Sequence, residues 1–334
     1  APPKVAGHWV RPSVGEQAQP IWGHASGLQV GLAPMPGPRG LLRIYAPYLG
    51  HRPGRVINFI AVEPIVEGQS RRGYSELEPS QLDGIRGKRF WSADSPAELT
   101  PRQPEFPARG AIARQGDFEC LEVHIQMESF RSGAHPYLKL RFQSNRPHEV
   151  AISTFVHADS KPLQACVLTA TMGNYARLRQ LHLSDRTVLS TDLWPDFDGD
   201  GFTSHKRFPL AQLPRTPEGH VLVSATSNEW QPTNAEYAPG TYRGWKYQGL
   251  PAVQYWICED PHETLQVQVN GRVKYWASNC LIPGGVSFEN FEMLDQFRNG
   301  QELWFGVKPR EKEPQNIEQG IPKKEGKAGG LPPT

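Results

Sequence analysis

The chain has 334 residues, of which 36 are basic and 34 acidic, so its formal net charge is +2. This balance, with a pI near 8.3, argues against nucleic acid as a partner, because nucleic-acid-binding proteins carry a basic stripe and a higher pI. No stretch approaches the roughly 18 consecutive apolar residues of a membrane-spanning helix, so we expect no membrane span.

Glycine and proline are frequent, with 32 residues of each. Glycine accepts the positive φ of tight turns and proline removes a hydrogen-bond donor, so both interrupt helices and strands. Their spread predicts many turns and little helix. The first residues, Ala1-Pro2-Pro3, are typical of a mature N-terminus left by signal cleavage or of an artificial start. We therefore expect a secreted or periplasmic protein.

Short runs of β-branched or alternating apolar residues recur between turn residues, as in an all-β sandwich or barrel. We predict one large antiparallel β-sandwich or jelly roll over residues 1–307, with long loops and little helix. The polar segment 308–334 is predicted to be a flexible tail. The predicted strands are Leu41–Tyr45, Val56–Val62, Cys120–Met127, Tyr137–Phe142, Glu149–Val156, Cys166–Thr171, Leu178–Leu183, His220–Ala225, Val253–Cys258, Leu265–Val269, Arg272–Trp276, Val286–Met293 and Glu302–Val307.

Two features refine this pattern. Asn270-Gly271 separates two of the predicted strands and is the preferred pair for a two-residue hairpin turn, because both positions accept positive φ. The four cysteines show no C-x-x-C spacing, which makes a structural zinc site improbable. They allow either two disulfides or four free thiols, and the sequence does not choose between them. These cysteines are Cys120, Cys166, Cys258 and Cys280.

A charged segment from Arg71 to Glu78 is the first candidate site. In an extended segment four side chains share one face, since side chains alternate every two residues: Arg72, Tyr74, Glu76 and Glu78. Such a row can bind a substrate carboxylate through the arginine fork while the acids hold the guanidinium in place. The alternative is a solvated, charged edge strand.

A second candidate is the loop Glu236–Tyr247, in which four aromatic residues stand among turn residues. Sugar rings stack on aromatic rings, and binding sites concentrate on loops, so this segment predicts a substrate-binding surface. Plain packing of the loop is the alternative. The candidate binding residues here are Tyr237, Tyr242, Trp245, Lys246 and Tyr247.

Two further groups contain candidate catalytic or binding residues. Alternation places Tyr175, Arg177 and Arg179 on one face of a predicted strand. His157 lies close to Asp159 in sequence and is a candidate base.

Asp196, Asp198 and Asp200 alternate before Gly201, as in the first half of a calcium loop. Arg207 occupies the position where an EF-hand loop needs an acid, so a complete EF-hand is excluded. We expect no required cofactor. Two interpretations of the three aspartates stay open: a structural calcium site whose other ligands come from elsewhere in the chain, or an exposed acidic turn.

Three short motifs resemble those of jelly-roll alginate lyases. Ser75-Glu76-Leu77 is similar to the R-S-E-L motif of that family, Glu122-Val123-His124-Ile125 to its Q-I-H strand, and the segment Val273–Asn279 to its Y-F-K strand. Tyr74 stands where the family has arginine, and Glu122 replaces the glutamine. The resemblance implies that Arg72 neutralises a uronate carboxylate, His124 removes a proton and Tyr275 protonates the leaving oxygen, all three in one cleft.

These observations favour a polysaccharide lyase that cleaves a uronate-containing glycan by β-elimination. A glycoside hydrolase on the same fold, which needs two carboxylates on either side of the scissile bond, is the first alternative. A non-catalytic, lectin-like protein is the second. The expected partner is a polysaccharide or oligosaccharide. Candidate hydrolytic carboxylates are Glu76, Glu78, Glu128, Glu229, Glu289 and Glu292, with the last two expected in a closing structural strand.

Overall fold

The computed structural model describes residues 7–171, 175–231 and 234–311. In these ranges the chain is almost entirely β, with nineteen strands in two large antiparallel sheets and one short helix, α1 (Ser190–Leu193). The predicted all-β sandwich is therefore confirmed. No helix in the described ranges is long and apolar enough to cross a membrane.

The first sheet has nine strands in the order β1-β2-β3-β4-β5-β11-β18-β17-β14. Its centre, β5-β11-β18-β17, holds the residues that matter most below. Its strands are β1 (Trp9–Val10), β2 (Ile21–His24), β3 (Gln29–Gly31), β4 (Leu41–Tyr45), β5 (Val56–Val66), β11 (Leu163–Thr171), β14 (Lys206–Pro209), β17 (Gln266–Arg272) and β18 (Ser287–Leu294).

The second sheet has ten strands, in the order β13-β12-β15-β16-β19-β10-β9-β8-β6, and β7 also pairs with β8. Its strands are β6 (Phe90–Ala93), β7 (Ala111–Gln115), β8 (Phe118–Met127), β9 (Pro136–Gln143), β10 (Glu149–Val156), β12 (Leu178–His182), β13 (Thr187–Leu189), β15 (Val221–Ser227), β16 (Ala252–Cys258) and β19 (Gln301–Pro309).

The two sheets pack face to face around one large apolar core to which strands of both sheets contribute. Alternation turns every second side chain of a central strand into this core and leaves the next on the outer face. Buried hydrogen bonds also join the two sheets: Trp256 Nε1 donates to the Phe291 carbonyl at 2.9 Å, and Asn58 Nδ2 donates to Gln254 Oε1 at 2.6 Å. These bonds help to fix the relative position of the sheets, while the other two atoms of the amide pair, Asn58 Oδ1 and Gln254 Nε2, are buried without a hydrogen-bond partner.

The predicted hairpin at Asn270-Gly271 is wrong. Both residues lie inside β17, at a shift in its register with β18, and the chain reverses only in the longer loop 273–286. A Cβ on Gly271 would stand 2.6 Å from a Val286 methyl carbon and 2.8 Å from the Ser287 carbonyl oxygen. Glycine is needed here for close approach and not for a turn, as is common at bulges. The predicted strand Arg272–Trp276 accordingly belongs mostly to this loop.

The end of the chain and the cysteines differ in part from the expectations. Strand β19 continues to Pro309, beyond the predicted boundary at Val307, and Arg310 donates to the Ser227 carbonyl at 2.7 Å. The rest of the predicted tail, 312–334, lies outside the described residues. All four cysteines are free thiols, so the structure contains no disulfide among them.

Candidate functional site

A group of buried ionisable side chains lies on the outer face of the nine-stranded sheet, and we call it the carboxylate cluster. Val62 on β5 and Phe291 on β18 face the core. Because side chains alternate along a strand, the next residues, Glu63 and Glu292, point outward. The loop after β5 folds back over the sheet and supplies the remaining members. The cluster consists of Glu63, Arg72, Tyr74, Glu76 and Glu292.

Arg72 joins the two acids across the intervening strand β11. Its Nη1 lies 2.6 Å from Glu63 Oε2 and 3.1 Å from Glu292 Oε2, while Nη2 lies 2.8 Å from Glu292 Oε1. Because both carboxylates contact the same nitrogen, their oxygens cannot be further apart than the sum of two hydrogen bonds. The predicted role of acids in holding Arg72 is present, but the acids come from two strands far apart in sequence.

Glu292 is held by neighbours on both flanking strands. Thr169 Oγ1 donates to its Oε2 at 2.6 Å and Gln268 Nε2 donates to its Oε1 at 2.8 Å. Arg207 Nε then donates to Gln268 Oε1 at 2.8 Å, which fixes the amide orientation. Together with the two bonds from Arg72, these donors occupy both oxygens of the Glu292 carboxyl group.

Glu63 has the opposite environment. Burial, followed by the negative charges of Glu292 and Glu76, raises the pKa of its carboxyl to about 8, against the opposing effect of Arg72. Burial also raises the pKa of Glu76, whose Oε2 has no hydrogen-bond partner. The cluster therefore places Glu63, a carboxyl that keeps its proton at neutral pH, beside Glu292, a second carboxyl whose two oxygens both accept hydrogen bonds, and such a pair can act as acid and base.

The carboxylate cluster reaches the surface through its polar rim. Arg72, Tyr74 and Glu76 are half-buried, and His205 is exposed. His205 Nε2 lies 3.3 Å from the amide of Asn270, which continues the polar row along β17. Burial raises the pKa of the Tyr74 hydroxyl, with the charge of Glu63 as the next cause. Arg71, a predicted binding residue, is exposed beside this rim.

Ser75, from the first alginate-lyase-like motif, has a structural position. Its hydroxyl donates to the Gly40 carbonyl at 2.6 Å and accepts the Val62 amide at 2.9 Å. It therefore fastens the loop that carries Arg72, Tyr74 and Glu76 to strand β5 and to Gly40, directly before β4. This contact explains why the loop returns onto the sheet.

A second group, which we call the loop-end cluster, lies where the loops after β11, β15 and β17 meet. Arg177 Nη2 lies 3.0 Å from Glu229 Oε2, and Arg179 Nη1 lies 2.9 Å from Glu229 Oε1. Arg177 also donates to the Tyr237 hydroxyl at 2.8 Å. Both arginine side chains are fully buried. Tyr275 is buried beside them; burial raises its pKa, and its hydroxyl has no hydrogen-bond partner.

Most of the predicted aromatic residues gather around the loop-end cluster. Trp245 stacks on Tyr275 with ring centroids 5.1 Å apart, and the Tyr247 amide donates to the Tyr237 hydroxyl at 2.8 Å. The Tyr175 hydroxyl accepts a hydrogen bond from Arg55 at 2.6 Å, and its ring lies 5.5 Å from that of Tyr247. These contacts bring the predicted residues Tyr175, Tyr237, Trp245, Tyr247 and Tyr275 together at the loop-end cluster.

Two residues mark the outer side of this group. Tyr242 is 72% exposed, and Lys246 Nζ lies 5.7 Å from the centre of the Tyr237 ring.

The expected alternation of Tyr175, Arg177 and Arg179 on one strand is wrong, since β12 begins only at Leu178 and Arg177 has a φ of 49°. Their proximity comes from the loop, where the ion pair with Glu229 holds Arg177 in an uncommon conformation.

The prediction that Arg72, His124 and Tyr275 share one cleft is wrong. Arg72 lies on the outer face of the nine-stranded sheet. His124 lies on the outer face of the other sheet, because Val123 and Ile125 beside it face the core. Tyr275 belongs to the loop-end cluster. Burial lowers the pKa of His124, with nearby Lys139 as the next cause, but the core separates its imidazole from the carboxylate cluster.

His157 also has a different partner from the expected one. Its Nε2 lies 2.7 Å from Gln126 Oε1, whereas Asp159 lies 2.8 Å from Nδ1 of His135. The two imidazole centroids are 4.4 Å apart on the outer face of the ten-stranded sheet. The sequence proximity of His157 and Asp159 therefore does not give an acid–imidazole pair between them.

The three predicted calcium ligands, Asp196, Asp198 and Asp200, are exposed in the loop after α1. Asp200 forms an ion pair with Lys274, which lowers its pKa. Within the described ranges no group of three or more histidine, cysteine or acidic side chains is placed to hold a metal ion. A calcium site there stays a prediction that this geometry does not support.

Sequence reasoning missed Glu63 and misassigned Glu292. Glu63 follows Val62 directly and is flanked by Pro64, Ile65 and Val66, so an acid inside an apolar run was the available signal. Glu292 was expected in a closing strand, yet β18 is an interior strand of its sheet. Its outward position could be found only once the register with β11 was known.

Comparisons with known proteins add no relative. No protein-family model matches the chain. A search of curated proteins and a search of solved structures each found no significant match. The resemblance to alginate lyases stays a prediction, and arguments about function rest on the geometry of the two clusters.

Proposed function

We propose that this protein is a glycan-cleaving enzyme that hydrolyses glycosidic bonds at the carboxylate cluster. The observation that carries the proposal is the contact of Glu63 and Glu292 with one nitrogen of Arg72, with Glu63 protonated at neutral pH. Glycoside hydrolases use one protonated and one ionised carboxyl, about 5–5.5 Å apart when configuration is retained. Two oxygens that share a hydrogen-bond donor are compatible with that spacing.

In this proposal each residue has a distinct task. Glu63 donates its proton to the leaving glycosidic oxygen as general acid. Glu292, held in place by Arg72, Thr169 and Gln268, either stabilises the developing positive charge while water attacks the sugar, or attacks the sugar itself to form an ester that water then hydrolyses, with Glu63 taking the proton of that water. The half-buried Tyr74 and the exposed His205 form the open side, where a sugar would enter. We propose with it the secreted or periplasmic location that is expected from the sequence.

Elimination at this same cluster is disfavoured by charge. A lyase needs a cation with unused hydrogen-bond donors to neutralise the uronate carboxylate. Arg72 already donates to two carboxylates, so a third acid would be repelled by Glu292 and Glu76. The expected role of Arg72 in binding uronate is therefore replaced by a role in holding the two acids.

β-Elimination is retained as a second candidate, at the loop-end cluster. The observation that favours it is the buried, unpartnered hydroxyl of Tyr275 beside Arg177 and Arg179. A tyrosine hydroxyl can protonate a leaving oxygen, and an arginine can neutralise a carboxylate. Glu229 already neutralises one of the two positive charges, so one excess charge is left for a substrate acid.

A panel of neutral and uronate-containing polysaccharides separates these candidates. Hydrolysis releases reducing ends without ultraviolet absorbance, whereas elimination produces an absorbing unsaturated uronate. Glu63→Gln and Glu292→Gln should each lower hydrolysis by about 10²–10⁴-fold, the usual loss for a positioned acid or base. Glu218→Gln, at an exposed carboxylate of the turn before β15, is the matched control and should leave activity unchanged.

Three outcomes contradict the hydrolase proposal. Full activity in both glutamine variants would show that the carboxylate cluster is structural. Unsaturated products that disappear in Tyr275→Phe would move the chemistry to the loop-end cluster. Binding of a glycan without any cleavage would favour the lectin-like alternative.

A further inference from the structure

A cavity of about 380 Å³ lies apart from both clusters, between the loop that joins β3 to β4 and strand β6 at the edge of the other sheet. Its volume falls in the range of about 300–1,000 Å³ that is usual for small-molecule sites. Much of its wall is apolar. The apolar lining includes Pro20, Leu32, Pro34, Met35, Phe90 and Trp91.

The charged part of the lining is strongly positive. Five cationic side chains contribute to it, against Asp83 as the one acid among the lining residues. Three of the cations are already satisfied: Arg43 donates to carbonyls of its own loop, Lys88 pairs with Glu78, and Arg102 pairs with Asp94 and Glu98. The remaining two are Arg39 and Arg89.

Two of the lining residues, Arg39 and Trp91, each have a buried donor without an acceptor. Arg39 uses Nη1 to bind Asp83 at 3.0 Å, while its Nη2 is buried without a hydrogen-bond partner. The indole Nε1 of Trp91, a residue only 9% exposed, is also unpartnered. Arg89 forms no ion pair within the described part of the chain. A buried donor without an acceptor costs about 1–3 kcal/mol, which an incoming acceptor would relieve.

From these observations we propose that the cavity binds a small carboxylate with an apolar or ring-shaped body. Arginine and tryptophan side chains can only donate hydrogen bonds, so the ligand must supply the acceptors. A guanidinium matches a carboxylate in planar geometry, and the excess positive charge selects an anion over a neutral molecule. Asp83 binds Arg39 through Nη1, so Nη2 is the donor that an incoming carboxylate can engage once the side chain turns toward it. The proposal is independent of the reaction assigned to the carboxylate cluster.

Titration calorimetry with two acid–neutral probe pairs tests this site. The pairs are benzoate with benzamide and glucuronate with glucose, because each neutral molecule keeps the ring of its acid. At least one acid should bind about tenfold or more tightly than its neutral counterpart, a difference of roughly 1.4 kcal/mol. The same acid should alter tryptophan fluorescence, since Trp91 lines the cavity.

Variants locate the binding. Arg39→Gln, at a partly exposed position, should weaken binding of the acid about tenfold or more, as expected for loss of a charge-assisted hydrogen bond. Trp91→Phe keeps an aromatic ring and removes the N–H, so it should weaken binding less. Arg186→Gln, in the exposed ion pair with Asp185, is the control and should bind like the parent. Equal affinity for acid and neutral probe, no binding of either acid at millimolar concentration, or unchanged affinity in Arg39→Gln would overturn the proposal.

Discussion

The carboxylate cluster and the loop-end cluster are opposites in charge. In the first, Arg72 lies between Glu63 and Glu292; in the second, Glu229 lies between Arg177 and Arg179. A carboxyl can take up a proton and become neutral, whereas a guanidinium does not lose one in a protein. The first cluster therefore relieves its excess charge by protonating Glu63, and the second keeps its excess charge at any ordinary pH.

This difference separates the kinds of chemistry open to each cluster. A carboxyl whose pKa is raised into the neutral range can donate and recover a proton during turnover. Two permanently charged arginines can attract an anion and hold tyrosine hydroxyls in position. The contrast is the physical reason for placing hydrolysis at the first cluster and retaining elimination, which needs an anionic substrate, at the second.

Removing the central residue of each cluster should give the largest effects on stability. Arg72→Met leaves two buried acids and Glu229→Gln leaves two buried arginines, so each should cost about 3–5 kcal/mol at pH 7. The acids can then protonate, so the loss in Arg72→Met should shrink at pH 5, whereas the loss in Glu229→Gln should not. Urea unfolding at the two pH values measures both free energies of unfolding.

The control for this comparison is Arg186→Met, which breaks an exposed ion pair and should cost only about 0–1 kcal/mol. The same pH dependence in both cluster variants would contradict the distinction between them. A loss as small as that of the control would mean that the cluster concerned contributes nothing to stability.

Much of the fold was available from the sequence because it depends on local patterns. Strands β4 and β10 were predicted to the residue, since turn residues flank their apolar runs. The Asn270-Gly271 signal failed because tertiary packing against Val286 and Ser287 uses the same glycine for another purpose. Local rules cannot distinguish these two uses.

The sites were less accessible because they depend on register between distant strands. Glu63 and Glu292 meet only because β11 pairs with both β5 and β18. The segment of Arg72 and Tyr74 was recognised from its composition, yet its acid partners were not. The aromatic loop was recognised as well, but Glu229 was named only as a candidate hydrolytic carboxylate, and nothing local in the sequence connects it with Arg177 and Arg179.

A smaller effect should come from the proton on Glu63. Its pKa is raised in the folded state, so its contribution to stability is complete below the unfolded value of 4.5 and is lost as the pH rises through about 8. The free energy of unfolding should therefore fall between pH 6.5 and 8, by up to about 1.4 kcal/mol per pH unit. Glu63→Gln, which is neutral at every pH, should remove this slope.

The window above pH 6.5 is chosen to exclude buried histidines. Burial lowers the pKa of His24 and of His51 to about 4, so each contributes stability that is present above 6.5 and lost as the pH falls toward 4. Above 6.5 both are neutral in the folded chain, and the protons that they still lose in the unfolded chain are the same for parent and Glu63→Gln and cancel in the comparison. Chemical unfolding of parent and Glu63→Gln across this window isolates the carboxyl, and parallel curves would rule out a proton held by Glu63.

The smallest effect is expected from tyrosine hydroxyls in the loop-end cluster. The Tyr275 hydroxyl is buried without a partner, so Tyr275→Phe should be neutral or stabilise the fold by up to about 1 kcal/mol. The Tyr237 hydroxyl accepts hydrogen bonds from Arg177 and from the Tyr247 amide, so Tyr237→Phe should destabilise by about 1–3 kcal/mol. Thermal and urea unfolding of the two variants measure this difference, and their opposite signs make it resolvable.

A destabilised Tyr275→Phe would mean that the hydroxyl has a partner in solution, such as a bound water, and would remove the observation that favours elimination at this cluster. If Tyr275→Phe is as stable as the parent but no longer forms an unsaturated product, the hydroxyl serves the reaction and contributes nothing to the stability of the fold.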